Sequence, residues 1–393
     1  MRPVALAHDY LTQRGGAERV FLSMARAFPD SPLLTTLYEP AQTYQEFADH
    51  EVQASWLQQV APFRRHFKAA LPLFPAAIRS LGPVAARVLV SSSTAFAHGL
   101  ESAGCHVAYV HSPPHWLWES RRYAGGRGGL AACARPLLGP FRRLDLRAAQ
   151  RPHLILTNSV HSARKIRAVY GRTAEVLPPP VRARRATSAP GDFFLVVARL
   201  LPYKNVHLVV RAAQRLGARL VVVGEGPERA RLAELAGPGT EFRSRVPEAE
   251  LDELYARCIA VVVAGEEDLG LVAIEANSAG RPAVCHARGG ALETVVPGET
   301  GVLFAEQRVE AAAEAMAAAA ARSWDGVGLQ RHAGRWSEER FAGRLRLLAD
   351  AFPDWCARCG GPGLGPRPLE ALLEAGGPPP DHRQAPVGVE GRP

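Results

Sequence analysis

Short apolar runs with strand character alternate with helix-spaced segments along most of the chain, and the pattern starts over near the middle. Alternation of this kind calls for parallel strands, because parallel neighbours can be joined only through a crossover that lays a helix on the sheet. In the first half the runs Val4–His8, Leu33–Leu37, Arg87–Ser91, His106–His111 and Leu154–Asn158 read as strands. After Gly15-Gly16, the apolar residues Val20, Met24, Ala27 and Phe28 follow helical spacing. A basic, proline-rich connector runs from Pro178 through Arg182, Arg184 and Arg185 to Gly191. Strands then resume at Phe193–Ala198, Arg219–Gly224, Ile259–Ala264 and Ala283–His286, each followed by a helix-compatible segment. At 393 residues the chain exceeds what one hydrophobic core usually serves. The fold class expected is therefore α/β with two doubly wound units, residues 1–185 and 186–336. Ser337 can cap a final helix, 337–353, with Glu338 and Glu339 in its first turn and Phe341, Leu345 and Leu348 on one face. Residues 357–393 are rich in Gly and Pro and read as a disordered tail.

Hydrophobic content of 47% and charged content of 22% fit an ordinary globular chain. No apolar run reaches the ~20 residues of a membrane-spanning helix; the alanine-rich stretch Val309–Ala321 carries glutamates and reads as a surface helix. Met1-Arg2-Pro3 leads directly into a short apolar segment ending at His8-Asp9, which does not read as a secretory leader. Of the cysteines at 105, 133, 258, 285, 356 and 359, only Cys356-Ala-Arg-Cys359 has ligand-like spacing, and no second pair completes a zinc site. A reducing cytoplasm is the expected compartment. The net charge of +9 points to an anionic partner. Only Lys68, Lys165 and Lys204 among 47 basic residues are lysines, which makes the placement of those three informative.

The chemistry-bearing residues cluster at strand ends. Residues 265–280, GEEDLGLVAIEANSAG, follow the apolar strand Ile259–Ala264. Glu267 and Glu275 bracket an apolar segment there, and Gly270 lets the backbone pass close to a ligand. If Leu271 opens a helix, its unpaired amides face an anion and Glu275 lies about one turn in. A carboxylate can accept two hydrogen bonds at once, which suits a vicinal diol. Arg199 ends the run Phe193–Val197 and Lys204 follows five residues later, both at a strand end that faces the crevice of an open α/β sheet. They would neutralise a diphosphate; a local loop ion pair is the competing reading. Gly15-Gly16 can bring amides against a phosphate or sugar, or be a purely structural turn. His111 closes a strand in YVHSPP, where an imidazole can hydrogen-bond a ligand hydroxyl or serve the core. No DxD triplet, P-loop, HExxH helix or GxSxG elbow occurs, so no metal is expected on the diphosphate and no resident cofactor.

Together these segments resemble the family-4 glycosyltransferases. The matching stretches are VARLLPYKN (197–205), VVVGEGPE (221–228), 253–284 and GGALETVVPGETGVLF (289–304), with HDYLTQRGGAERV (8–20), YVHSPPHWLW (109–118) and TNSVHSARKIRAVYG (157–171) in the first half. The resemblance covers about residues 4 to 350 and is nearest to the mannosyltransferase-like branch that builds O-antigens and capsules. It implies the GT-B fold, two Rossmann-like domains facing each other across a cleft, with the last helix returning to the first domain. It also implies retaining transfer of a hexose, mannose from GDP-mannose above others, to a glycan or lipid-linked acceptor without a metal. Carried onto this chain, Arg199 and Lys204 would grip the donor diphosphate. Glu267 and the backbone of Asp268, Leu269, Gly270 and Leu271 would hold the transferred sugar, Glu275 the ribose, Gly16 the phosphate from the first-domain side, and His111 the sugar. Leu269, Ala273 and Ser244 stand where the family often has phenylalanine, proline and glycine, which bears on donor identity.

Two other classes stay open on the residues alone. One is a non-catalytic nucleotide- or nucleic-acid-binding protein, which the charge would suit although no nucleic-acid module is recognisable. The other is a sugar-nucleotide epimerase or a phosphorylase on the same fold. The basic, apolar-spaced stretches Phe63–Lys68 and Arg135–Arg147 suit either contact with an anionic membrane or solvated helix faces.

Overall fold

The computed structural model describes residues 2–120, 138–184, 191–244 and 246–359. The tail from residue 360, Arg185 of the connector, residues 135–137 and the side chains of Arg65 and Lys68 lie outside the described residues.

Thirteen strands are described in two all-parallel sheets. The first takes the order β3-β2-β1-β4-β5-β6-β7, from β1 (Arg2–His8), β2 (Leu33–Thr35), β3 (Val52–Ala54), β4 (Ala86–Ser93), β5 (Cys105–Val110), β6 (Leu154–Thr157) and β7 (Glu175–Val176). The second takes the order β10-β9-β8-β11-β12-β13, from β8 (Phe193–Val197), β9 (Arg219–Val223), β10 (Thr240–Arg243), β11 (Val261–Val263), β12 (Ala283–His286) and β13 (Gly301–Phe304). In each, the chain first winds outward on one side, then returns and winds the other way. That is the doubly wound, Rossmann-like arrangement, present twice. The strands read from the sequence form the interior of both sheets, whereas the four not read (β3, β7, β10 and β13) are the four edges.

Packing follows from pleating. In β1, Leu6 goes to one face with Val20, Phe21 and Met24 of α1 (Gly16–Ala27), while Ala5 and Ala7 go to the other with Leu34, Phe74 and Leu89. In β8, Phe194 and Val196 face α2 (Val206–Leu216) and α3 (Val309–Ala321), and Leu195 faces Tyr255 and Ala276 on the opposite side. The alanine-rich helix α3 is thus half core: Ala312, Met316 and Ala319 are sealed, and its glutamates point outward.

The last helix, α4 (Glu338–Cys359), begins where Ser337 Oγ accepts the Arg340 amide at 3.3 Å. It packs on the first domain, not the second: Phe341, Leu345, Leu348 and Phe352 join Val20 and Met24 in one cluster. Each such buried side chain contributes about 1.5–3 kcal/mol. The helix runs on through Pro353 to Cys359, three residues into the stretch read as tail, because Trp355 and Cys356 still meet that cluster. The two chain crossings between domains lie side by side, with the Val181 amide donating to the Trp336 carbonyl at 2.8 Å and both side chains in one small cluster with Leu269, Ile274 and Ala333. No described helix is long and apolar enough to cross a membrane.

Candidate active site

Each sheet reverses winding once, between β1 and β4 and between β8 and β11, and ligands bind open α/β sheets at the carboxyl ends of strands flanking such a switch. Arg199 and Lys204 follow β8, residues 265–271 follow β11, and Gly15-Gly16 follow β1. The two switch points face each other. A Cβ on Gly16 would lie 3.3 Å from Leu271 Cδ1, so the glycine turn of the first domain touches the head of helix α5 (Leu271–Ser278) in the second. A Cβ on Gly15 would run into Glu18 Oε2, so glycine leaves room for that buried carboxylate as it stands. Gly270, at φ +88°, turns the backbone into α5 through the left-handed region. That places the unpaired amides of its first turn at the crevice. Leu269 beside it is buried and packs with Ile274.

Glu267 and Lys204 meet directly, Nζ donating to Oε1 at 2.5 Å and Oε2 at 2.6 Å. Burial alone would lower the Lys204 pKa, but Glu267 outweighs it and the ammonium is held charged above its usual range. Arg199 is exposed at the end of β8 and acts across the cleft on Tyr10, whose phenol is raised by burial, Glu18 and Asp9 and drawn partly back by Thr94 and Arg199.

Glu275 sits on α5, 8% exposed, inside a ring of donors. Arg19 of α1 reaches Oε1 at 3.0 Å, while Arg184 at 3.2 Å and the Tyr255 hydroxyl at 2.7 Å reach Oε2. Arg184 also lies over the Tyr255 ring at 4.2 Å and bonds Asp252. Arg184, read from the sequence only as part of the basic connector, is 3% exposed and belongs to the site. Arg19 is the first-domain contribution.

Asp268 contributes its side chain as well as its backbone. Oδ2 accepts from His115 Nε2 at 2.9 Å and Oδ1 from Lys165 Nζ at 3.1 Å, while its carbonyl accepts from Ser159 Oγ at 2.6 Å. Glu119 closes the cluster, 2.5 Å from Lys165 Nζ and 3.1 Å from His115 Nδ1. Burial opposes charge on His115, but Asp268 and then Glu119 overcome it and raise the pKa to about 9. His115 and Lys165 hold Glu119 at about 2 against burial, and hold Asp268 well below the carboxylate range. Nearby, Glu293 accepts the Val160 and His161 amides at 2.8 Å each, so a second-domain carboxylate caps a first-domain helix, α6 (Val160–Tyr170). The bonds of Asp268 and Glu293 thus join second-domain groups to first-domain ones, while Glu119 braces His115 and Lys165 from within the first domain. Two of the three lysines are in this cleft.

His111 stands at the end of β5 with Nε2 3.0 Å from Ser92 Oγ. Burial, aided by His8, lowers its pKa to about 4 even though Glu18, Asp9 and Asp268 pull the other way, so the ring is neutral.

Comparison with known proteins bears on this arrangement. Residues 182–326 match the glycosyl transferases group 1 family. This group 1 segment opens at Arg182 and contains Arg184, Arg199, Lys204, Glu267, Asp268 and Glu275, whereas Gly15, Gly16, Arg19 and His111 lie outside it. The chain is 33% identical over 234 residues to a D-inositol 3-phosphate glycosyltransferase of Acidothermus cellulolyticus, covering 50% of this chain and 51% of that protein. It is 37% identical over 109 residues to a GDP-mannose-dependent alpha-mannosyltransferase of Mycobacterium tuberculosis, covering 28% and 29%. The chain thus spans about half or less of the length of these curated relatives. In fold it is similar to Anabaena Alr3699/HepE, solved in complex with UDP and glucose: TM-score 0.65, 17% identity, covering 89% of this chain and 100% of that one.

Among residues the sequence did not single out, Lys165 was signalled by lysine scarcity alone. Arg19, His115 and Arg184 gave no signal, because the Glu275 and Asp268 carboxylates they meet lie 91 to 256 positions away. The apolar half of the basic stretches is used internally: Phe63, Phe67, Leu138 and Phe141 pack on the first-domain core, and Arg142 lies over Trp118 at 5.5 Å.

Proposed function

We propose that the chain is a retaining glycosyltransferase that moves a hexose from a nucleotide-diphosphate donor to a glycan or lipid-linked acceptor. The observation that carries it is that one segment after β11, residues 267–275, pairs with Lys204 through Glu267 and meets the first-domain glycine turn and α1 through Leu271 against Gly16 and Glu275 with Arg19. Lys204, Arg199 and the head of α5 supply positive potential where the leaving diphosphate gains charge. Glu275 offers a carboxylate to the ribose diol, and Glu267 with the 268–271 backbone offers acceptors and donors to the sugar. His111, neutral, stands by the sugar as a hydrogen-bond partner. With charge supplied by side chains and amides, the reaction proceeds without a divalent metal, and chelator should leave the rate unchanged.

GDP-mannose is the first donor to test, in line with the family branch and the mannosyltransferase relative; the UDP-bound structural neighbour makes UDP-glucose the second. A ligand at 100 times its Kd stabilises by about 2.7 kcal/mol, so a thermal-shift panel of GDP- and UDP-sugars separates them. Release of nucleoside diphosphate that requires an acceptor glycan distinguishes transfer from epimerisation, and its absence with every donor would overturn the proposal. Peripheral contact with an anionic membrane forms part of the proposal through the exposed Trp56 and Leu73 and the exposed Arg79 on the stretch 56–79. Co-sedimentation with acidic liposomes tests it.

A further inference from the structure

The end of β4 is three serines in a row, and each is bonded to a histidine: Ser91 to His106 at 2.8 Å, Ser93 to His98 at 2.8 Å, and Ser92 to both His8 and His111. His98 and His106 are each 1% exposed, whereas His111 is only partly buried, at the cleft. Ser92 therefore connects the interior to the one histidine of these four that is not fully buried.

The proton positions along this connection can be deduced. His8 Nδ1 lies 3.0 Å from the Ser92 carbonyl, which can only accept, so Nδ1 carries a hydrogen. The same Nδ1 is 3.1 Å from Ser92 Oγ, which is thus fed by a donor and has its own hydrogen left to give. Among the described residues that hydrogen has one acceptor in reach, His111 Nε2 at 3.0 Å. A neutral imidazole that accepts at Nε2 bears its proton at Nδ1. Both rings are fixed: His8 stacks on Phe21 at 5.0 Å and 20°, and His111 meets the Tyr109 ring edge-on at 5.0 Å. Behind His8, Glu18 Oε1 lies 3.8 Å from Nε2 and accepts from Gln13 Nε2 at 2.9 Å, while the other oxygen of that carboxylate, Oε2, fills the space that glycine at position 15 leaves open.

We propose that His8 and Ser92 are positioning residues that fix His111 as its Nδ1–H tautomer, so that the imidazole presents a donor, never an acceptor, to the cleft. The group it would serve is a hydroxyl or ring oxygen of the bound hexose, a consequence that rests on the glycosyltransferase reading; the tautomer itself does not.

The test is long-range ¹H–¹⁵N correlation of the histidine rings in the full-length unliganded protein, with His111 signals assigned by their loss in His111→Gln. The expected spectrum has His111 protonated at Nδ1 and bare at Nε2. Ser92→Ala should move it toward the Nε2–H form that free imidazole prefers, Ser92→Thr should restore Nδ1–H, and Ser91→Ala should leave the His111 signals in place. An Nε2–H signal in the wild type, or a Ser92→Ala spectrum unchanged at His111, overturns the proposal. In the transfer assay Ser92→Ala should lower kcat about tenfold, the rate equivalent of one neutral hydrogen bond, with donor KM little altered. If the tautomer is as stated and no donor is ever turned over, the functional reading fails and the positioning claim stands. Turnover with the opposite tautomer gives the converse.

Discussion

Replacing Asp268 by asparagine removes the charge on which His115 and Lys165 converge while keeping the side chain's shape. The rise of the His115 pKa from 6.5 to about 9 corresponds to roughly 3 kcal/mol in favour of its charged form, at ~1.36 kcal/mol per unit. The His115 and Asp268 side chains are 33% and 21% exposed, so solvent screens part of this. About 1–2 kcal/mol should remain. Because the folded-state pKa is raised, the contribution is complete below about 6.5 and disappears as pH climbs through about 9. The lowered Glu119 carboxyl acts oppositely: its share is complete above about 4.5 and fades only toward about 2. Thermal melts of wild type and Asp268→Asn, taken from about pH 6 to about pH 10, read the difference directly. The wild type should lead by a few degrees at the acid end, and its lead should narrow toward the alkaline end, where only the pairing with Lys165 remains. Two parallel curves across that interval would refute the argument that His115 carries a charge for Asp268.

Other outcomes follow from the geometry. Lys204→Ala should lose most of the thermal shift given by the best donor, with isothermal titration of the same donor as the cross-check. Arg184→Ala removes one of the two cations on Glu275, leaving Arg19, and should cost about 1.5–3 kcal/mol in a denaturant melt. Phe352→Ala, in the cluster that seats the last helix on the first domain, should cost about 3–5 kcal/mol in the same measurement.

The interior of both sheets was legible because a strand covered on both faces must be apolar throughout. Val-Val-Val at 261–263 and Arg-Leu-Val-Val-Val at 219–223 announce themselves. The edge strands do not. Val52-Gln-Ala54 is partly exposed, Thr240-Glu-Phe-Arg243 has no sealed residue, and Glu175-Val176 is two residues long. Their pairing comes from a neighbour's free amides and carbonyls, which composition does not record. The candidate site divides the same way. Arg199, Lys204, Glu267 and Glu275 could be picked out because they punctuate apolar runs at strand ends. The guanidinium groups of Arg19 and Arg184 could not, since only the closure of one domain on the other brings them to Glu275. Asp268 was read for its backbone, and its side chain's engagement with His115 and Lys165 depends on the same closure.

The paired crossings at Val181 and Trp336 have a mechanical consequence. A single strand between two bodies would let one swivel freely about the other. Two strands lying abreast and stitched by a hydrogen bond resist torsion while still permitting flexion, as a book's spine does. Opening should therefore swing the facing pages apart along a fixed arc and return Gly16 to Leu271 in register each time.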